Sequence, residues 1–256
     1  MRIQVCDILY GMQKQMLESE DRMAKAKLRW IVRAAFFACM AFDWLGACVS
    51  SDYGVCCAMR NNTFLAYLPV EISLHLSAHR RAAAFWALFA LWAIFFPNAP
   101  YVLTDYFHLA HVDPYIILES GKRTSLVRPE LGLWLTFAIV STSALVCTIF
   151  GTWSLDRVIG MLQERWKRPG LGWRFLFVMA LTALSSVGIF LGRFPRLHSI
   201  HLLTRPGYAI EKMAASCSGD LLEFAALLTI VQVVLWGCMR FVLEAAHDEP
   251  HGCSES

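Results

Sequence analysis

The sequence has little charge for its length. Asp, Glu, Lys and Arg make up 17% of its 256 residues, whereas soluble domains average about a quarter. Its nine cysteines include no Cys-x-x-Cys pair and no Cys/His run with zinc spacing, so a structural metal site has no motif to rest on. A Gly-x-Ser-x-Gly elbow, a phosphate-cradling glycine loop and an Asp-rich metal motif are missing, which removes the best-marked hydrolase and nucleotide-binding classes. Strand-type alternation and internal repeats are lacking too, which argues against a barrel or a solenoid. Net charge is only +3, and nucleic acid is not an expected partner.

What the chain does have is apolar length. The hydrophobic residues make up 57% and the aromatics 13%, mean hydropathy is positive, and several apolar runs approach the 20 or so residues that a membrane helix needs. The fold expected is all-α, a polytopic bundle of six transmembrane helices. The reading divides the chain into a polar cytoplasmic segment over 1–29, a six-helix domain over 30–241 and a polar tail over 242–256. The helices are predicted at about Trp30–Val49, Thr63–Ala78, Ala82–Phe96, Leu131–Leu155, Trp173–Leu191 and Asp220–Phe241, with a kink or opening at Pro69 in the second. Leu45-Gly46-Ala47-Cys48 has the form of a lipoprotein cleavage box, but Asp43 and the long polar leader favour an uncleaved first helix.

Six spans place both termini on one side. Fifteen of the 23 Lys and Arg residues then fall on that side, and the positive-inside rule makes it the cytoplasm. The first, third and fifth connections face outward together. They carry Arg60-Asn61, the stretch from Pro97 to His108, and Arg193 to Arg205. Arginines on a translocated face run against the topological bias, so Arg193, Arg196 and Arg205 are candidate ligands for an anion, a lipid headgroup or the carboxylates Asp105 and Glu71.

The stretch Pro97-Asn98-Ala99-Pro100 ends an apolar helix. Proline lacks the donor to continue a helix and biases the residue before it towards extended geometry, and the Asn98 side chain is placed to cap or to bond the freed carbonyls. Asp105 and His108 share a helical face, which suits an acid–base pair or, with His111, a weak divalent-metal site; Asp113 follows. Asp43 and Glu71 lie inside apolar helices, in halves read as outer, where hydration or an ion pair with Arg60 or Arg193 is expected. Ser141, Thr142 and Ser143 are read as interhelical packing contacts. Cys56 and Cys57 share the outer side with Cys217, which makes a disulfide conceivable.

Three motifs carry a family resemblance. Arg60-Asn61 with Phe64-Leu65-Ala66-Tyr67-Leu68-Pro69, then Phe95-Phe96-Pro97-Asn98-Ala99-Pro100-Tyr101-Val102-Leu103-Thr104-Asp105 with His108-Leu109, and finally Gly188-Ile189-Phe190-Leu191-Gly192-Arg193-Phe194 resemble the bacterial integral membrane family called domain of unknown function 1361, over roughly residues 30–240. The resemblance implies a multi-pass protein of the bacterial inner membrane without an established activity. Two departures stand out: Pro195-Arg196-Leu197-His198-Ser199-Ile200-His201 replaces the family's Arg-Trp-Asn-Ser-Trp-Asp, and Glu130 and Trp134 stand where a Trp-x-Asp is usual.

Three classes of function fit these residues. One is a transporter-like or accessory protein binding an anionic ligand or headgroup at its outer face, through Arg60, Asn61, Glu71, Asn98, Arg193, Arg196 and Arg205. The alternative is a membrane-embedded enzyme acting on a lipid-linked or cell-envelope substrate, with Asp105 and His108 catalytic. The third is a structural partner of another membrane protein. Membrane lipids are partners in each, and the sequence names no cofactor.

Overall fold

A computed structural model describes residues 2–49, 53–111, 115–118, 122–196 and 204–248. The elements run α1 (Arg2–Val49), α2 (Tyr53–His75), α3 (Ala82–Phe95), the single turn α4 (Asn98–Tyr101), a 3-10 helix (Val102–His111), β1 (Tyr115–Ile117), β2 (Arg123–Val127), α5 (Leu131–Trp166), α6 (Leu171–Arg193), α7 (Pro206–Ala215) and α8 (Gly219–Asp248). The two strands form one antiparallel hairpin, pairing Tyr115 with Val127 and Ile117 with Arg123 across an irregular register.

Polar groups on facing helices fix the register of the bundle. Arg33 meets Glu71 while Thr63 donates to Asp43, so α1 and α2 run antiparallel. Ser154 and Arg157 of α5 donate to the carbonyls of Pro69 and Ser73, which sets α5 parallel to α2. Trp92 of α3 donates to Ser154 at 2.9 Å. Thr229 and Gln232 of α8 reach Ser186 of α6 at 3.0 and 2.9 Å, again antiparallel. The apolar core falls into two large clusters that share α2 and α5. One gathers Phe85, Trp92, Phe96, Leu155, Ile159, Val178 and Trp236; the other gathers Val32, Phe36, Ala66, Val70, Ala99, Val102, Ala144 and Cys147.

The outer surface is apolar. Leu145, Ile149, Leu184, Leu222, Leu227, Ile230 and Phe241 are exposed along the helices, whereas Asp43, Asp105, Ser143, Thr182 and Ser186 are buried. In water this inversion would be untenable, and in lipid it is the expected arrangement. Five segments are long and apolar enough to cross a membrane: Ala26–Val49, Ala82–Ala110, Leu131–Trp166, Leu171–Arg193 and Gly219–Ala245. The sixth predicted span belongs to α2, which has 23 residues but is not among these five. Arg60, Asn61, Asn62 and Glu71 lower its hydropathy, and its other faces are covered by α1, α3 and α5.

Several boundaries differ from those read in the sequence. Helix α2 begins ten residues before Thr63, so Arg60 and Asn61 are helical and not in a loop. It runs through Pro69 without ending. Helix α5 continues past Leu155 to Trp166, because Val158, Ile159 and Leu162 extend its buried stripe beneath the basic residues. Helix α8 likewise continues to Asp248 into the predicted tail. The connection after α6 holds α7, and the one after the 3-10 helix holds the hairpin.

Candidate functional site

The proline corner is tighter than proline chemistry alone suggests. Phe96 keeps helical angles (φ −54, ψ −40), not the extended geometry expected before proline, and Pro97 continues them (φ −56, ψ −24). Main-chain bonds explain why. Phe96 N–H donates to Trp92 O at 2.7 Å, Ala99 to Phe96 O at 3.0 Å and Tyr101 to Pro97 O at 3.0 Å, so the two prolines sit where no donor is missed. Asn98 Nδ2 donates to the freed Phe95 carbonyl at 2.9 Å, the role read for it in the sequence.

Two glycines grip this corner. A Cβ on Gly151 of α5 would lie 2.6 Å from Ala99 Cβ, and one on Gly188 of α6 would lie 2.9 Å from Pro97 Cγ. Only a bare backbone on both helices lets the corner seat this deeply. The seat fixes the 3-10 helix that follows, and with it Asp105.

Asp105 is the centre of the site, with a side chain 0% exposed. Asn62 of α2 donates to its Oδ2 at 2.6 Å. Arg193, at the end of α6, donates to Oδ1 at 3.1 Å, and His108 Nε2 stands 3.4 Å from the same oxygen. The Arg193 guanidinium also lies over the Tyr101 ring, 5.9 Å from its centroid. One buried carboxylate therefore ties α2, the 3-10 helix and α6 together. Its charge is matched by Arg193, as a buried ion requires.

Of the residues proposed for a shared site, the structure brings together Asp105, His108 and Arg193. Asn98 serves the corner. Arg60 is half-buried on α2, within electrostatic reach of Asp43 but not bonded to it. Asn61 faces outward beside it, and Arg196 and Arg205 are exposed. Arg196 has a left-handed φ of 54°. The His111 side chain, Asp113, His198 and His201 lie outside the described residues. Asn62, the tightest partner of Asp105, was missed: in a predicted loop it carried no signal, and only the earlier start of α2 turns it inward.

Glu71 belongs elsewhere, and the expected ion pair with Arg60 or Arg193 is not formed. Arg33 clasps Glu71 with two donors, Nε at 3.1 Å and a closer Nη2; Tyr67 donates at 2.7 Å and His75 lies at 3.0 Å. Glu71 is nine residues along α2 from Asn62, about 14 Å at helical rise, and towards the opposite end from Asp105. Because α2 starts earlier, Glu71 lies in the half of the helix that points away from Asp105. Asp43 is 0% exposed and is held by hydroxyls, Ser143 Oγ at 2.8 Å and Thr63 Oγ1 at 3.1 Å. Ser143 thus bonds across helices as expected. Asp156, read as part of a loop, is inside α5 and holds Arg174 (2.7 Å) and Trp236 Nε1 (2.8 Å). Cys57 and Cys217 are free thiols, so Cys217 is bridged to neither Cys56 nor Cys57. Among the described residues no three His, Cys, Asp or Glu side chains gather to hold a metal.

Long helices with apolar flanks, closing over carboxylates paired inside, define a helical membrane protein with a buried ion-pair site at one end of its bundle. The chain belongs to the family described as protein of unknown function (DUF1361), which it matches over residues 61–235. That stretch holds Asn62, the corner, Asp105, His108 and Arg193, but begins inside α2 and leaves α1 outside. No curated protein and no solved structure matches the chain.

Proposed function

We propose that the chain is a bacterial inner-membrane protein that crosses six times with both termini in the cytoplasm, and that it binds an anionic group at its outer face through Arg193, as a transporter-like or accessory protein. Helix α2 is the sixth crossing, lined on its polar face by α1 and α5 in place of lipid. One observation carries the binding reading. Arg193 spends one donor on Asp105 and lays its guanidinium over the Tyr101 ring, yet its side chain is 21% exposed and its Nε and Nη2 bond no described acceptor. An oriented guanidinium with donors left over is a ready clamp for a carboxylate or phosphate. Arg196 and Arg205, exposed on the same side, pair with no described carboxylate and would raise the local anion concentration.

The test is stabilisation by ligand, since anything that binds only the folded state raises its stability. Inorganic phosphate, pyrophosphate and succinate are titrated against purified protein, and melting is followed by tryptophan fluorescence. Wild type should respond to at least one of them, and Arg193→Gln should lose that response. Equal responses in both proteins overturn the reading.

The enzyme reading is favoured by one contact: His108, 30% exposed, faces the buried Asp105 at 3.4 Å, an arrangement that orients an imidazole for proton transfer. It predicts that His108→Ala leaves anion binding intact while abolishing turnover.

A further inference from the structure

At the opposite end of the bundle, where α2 ends and α5 runs past it, a cleft of ≈ 540 Å³ is lined by Arg29, Arg80, Arg157, His75, His79 and Glu164, among others. Two of the arginines are locked side by side. Arg29 Nη2 donates to Leu74 O at 3.3 Å and Arg157 Nε donates to Ser73 O at 3.2 Å. These are consecutive carbonyls in the last turn of α2, so two guanidiniums converge on one helix end. Among the described residues neither guanidinium bonds a carboxylate: Glu71 is engaged by Arg33, Tyr67 and His75, and Glu164, which also lines the cleft, faces His79 at 3.1 Å. Like charges held side by side repel, and in a half-buried cleft the repulsion is larger than in water. An anion relieves it.

The depth of the cleft identifies the anion. Exposed Trp30, Trp86, Trp166 and Trp173 ring this end of the bundle. Trp86 packs on Trp166 at 5.7 Å and Trp173 on Phe177 at 6.3 Å, and Trp153 lies beneath Arg157, 5.9 Å from ring centroid to guanidinium. Such a belt marks the headgroup level of a bilayer, and a basic pocket between helices at that level suits lipid phosphate. We propose that this cleft binds the phosphate of an anionic phospholipid, with Arg29 and Arg157 as the fork and Arg80 at the rim. This site is separate from the Asp105 site and does not depend on its function.

The experiment uses full-length protein in a neutral detergent, with melting followed as phosphatidylglycerol, phosphatidylcholine or inorganic phosphate is added at equal phosphate concentration. Wild type should respond to phosphatidylglycerol and not to phosphatidylcholine. Arg157→Gln should weaken the apparent affinity about tenfold, and Arg29→Gln with Arg157→Gln further, as expected for lost charged hydrogen bonds. Arg80→Gln, which disturbs no contact of α2, should weaken it as well and covers the case in which Arg157→Gln fails to fold. Arg193→Gln should respond like wild type, which keeps this outcome independent of the outer site. Inorganic phosphate matching phosphatidylglycerol in Arg193→Gln, where the outer site no longer contributes, would assign the same fork to a free phosphate and overturn the lipid assignment. Equal responses to the two lipids, or full responses in the Arg157 and Arg80 variants, overturn the proposal.

Discussion

Removing Arg193 should cost far more than neutralising Asp105, although the two form one pair. Arg193→Met leaves an ionised carboxylate with a side chain 0% exposed, supported by Asn62 at 2.6 Å and His108 at 3.4 Å. Breaking a buried pair from that side costs about 3–5 kcal/mol. Arg193 is itself 21% exposed, so screening places the loss near the lower end, about 3 kcal/mol. Asp105→Asn keeps an oxygen for the guanidinium and leaves that cation in reach of water. Its cost is the difference between a charged and a neutral hydrogen bond, about 1 kcal/mol. Combining Asp105→Asn with Arg193→Met removes the stranded charge, so the double variant should be more stable than Arg193→Met alone. The assay is equilibrium unfolding in mixed micelles with increasing dodecyl sulfate, followed by tryptophan fluorescence. Equal losses from the two single changes, or strictly additive losses in the double, would refute the view that Asp105 is the buried member whose charge must be matched.

Three further outcomes are expected. Gly151→Ala and Gly188→Ala should each destabilise by about 1–3 kcal/mol through overpacking against Ala99 and Pro97, while Gly160→Ala, which meets nothing within 4 Å, should be neutral or stabilising by up to about 1 kcal/mol; the same unfolding assay reads both signs. Trp236→Phe keeps one aromatic ring but deletes the 2.8 Å donor to Asp156 and part of a side chain buried in the core, and a loss of about 2–3 kcal/mol should appear in chemical unfolding, unchanged stability speaking against a role for that contact. In a background with the other cysteines replaced, Cys217 should react with a membrane-impermeant maleimide on intact cells and a cysteine placed by His79→Cys only after permeabilisation; the reverse pattern inverts the topology.

The sequence was most legible where lipid is the only neighbour. Apolar runs of membrane length located the five segments that are long and apolar enough to cross, because bulk hydropathy decides them. Helix α2 was blurred because its neighbours are protein: Asn62, Thr63 and Glu71 are paired with Asp105, Asp43 and Arg33, and a hydropathy pattern cannot separate a paired polar residue from a solvated one. The same blindness cut α5 short at Asp156, whose charge reads as a loop until Arg174 and Trp236 are seen against it. The Asp105–Arg193 contact spans 88 residues; shared sidedness suggested it, and only the fold selects Arg193 over Arg196 and Arg205. Glu71 went the other way, because misplacing the start of α2 moved it to the wrong end. The corner itself was plain from Pro97 and Pro100, but its helical angles depend on Asn98 and two glycines far along the chain.

Helix α2 also sets a timetable for synthesis. Its polar residues look both backward and forward: Asp43 and Arg33 precede it, whereas Ser154 and Arg157, which bond its carbonyls, come about 80 residues after its end. A ribosome adding about 5–20 residues per second leaves α2 without half its partners for on the order of ten seconds. During that interval a segment bearing Arg60, Asn61 and Asn62 gains little from lipid. It has to wait beside α1 or in the shelter of the insertion machinery until α5 arrives, so a chain truncated before α5 should expose α2 to proteolysis while α1 stays embedded.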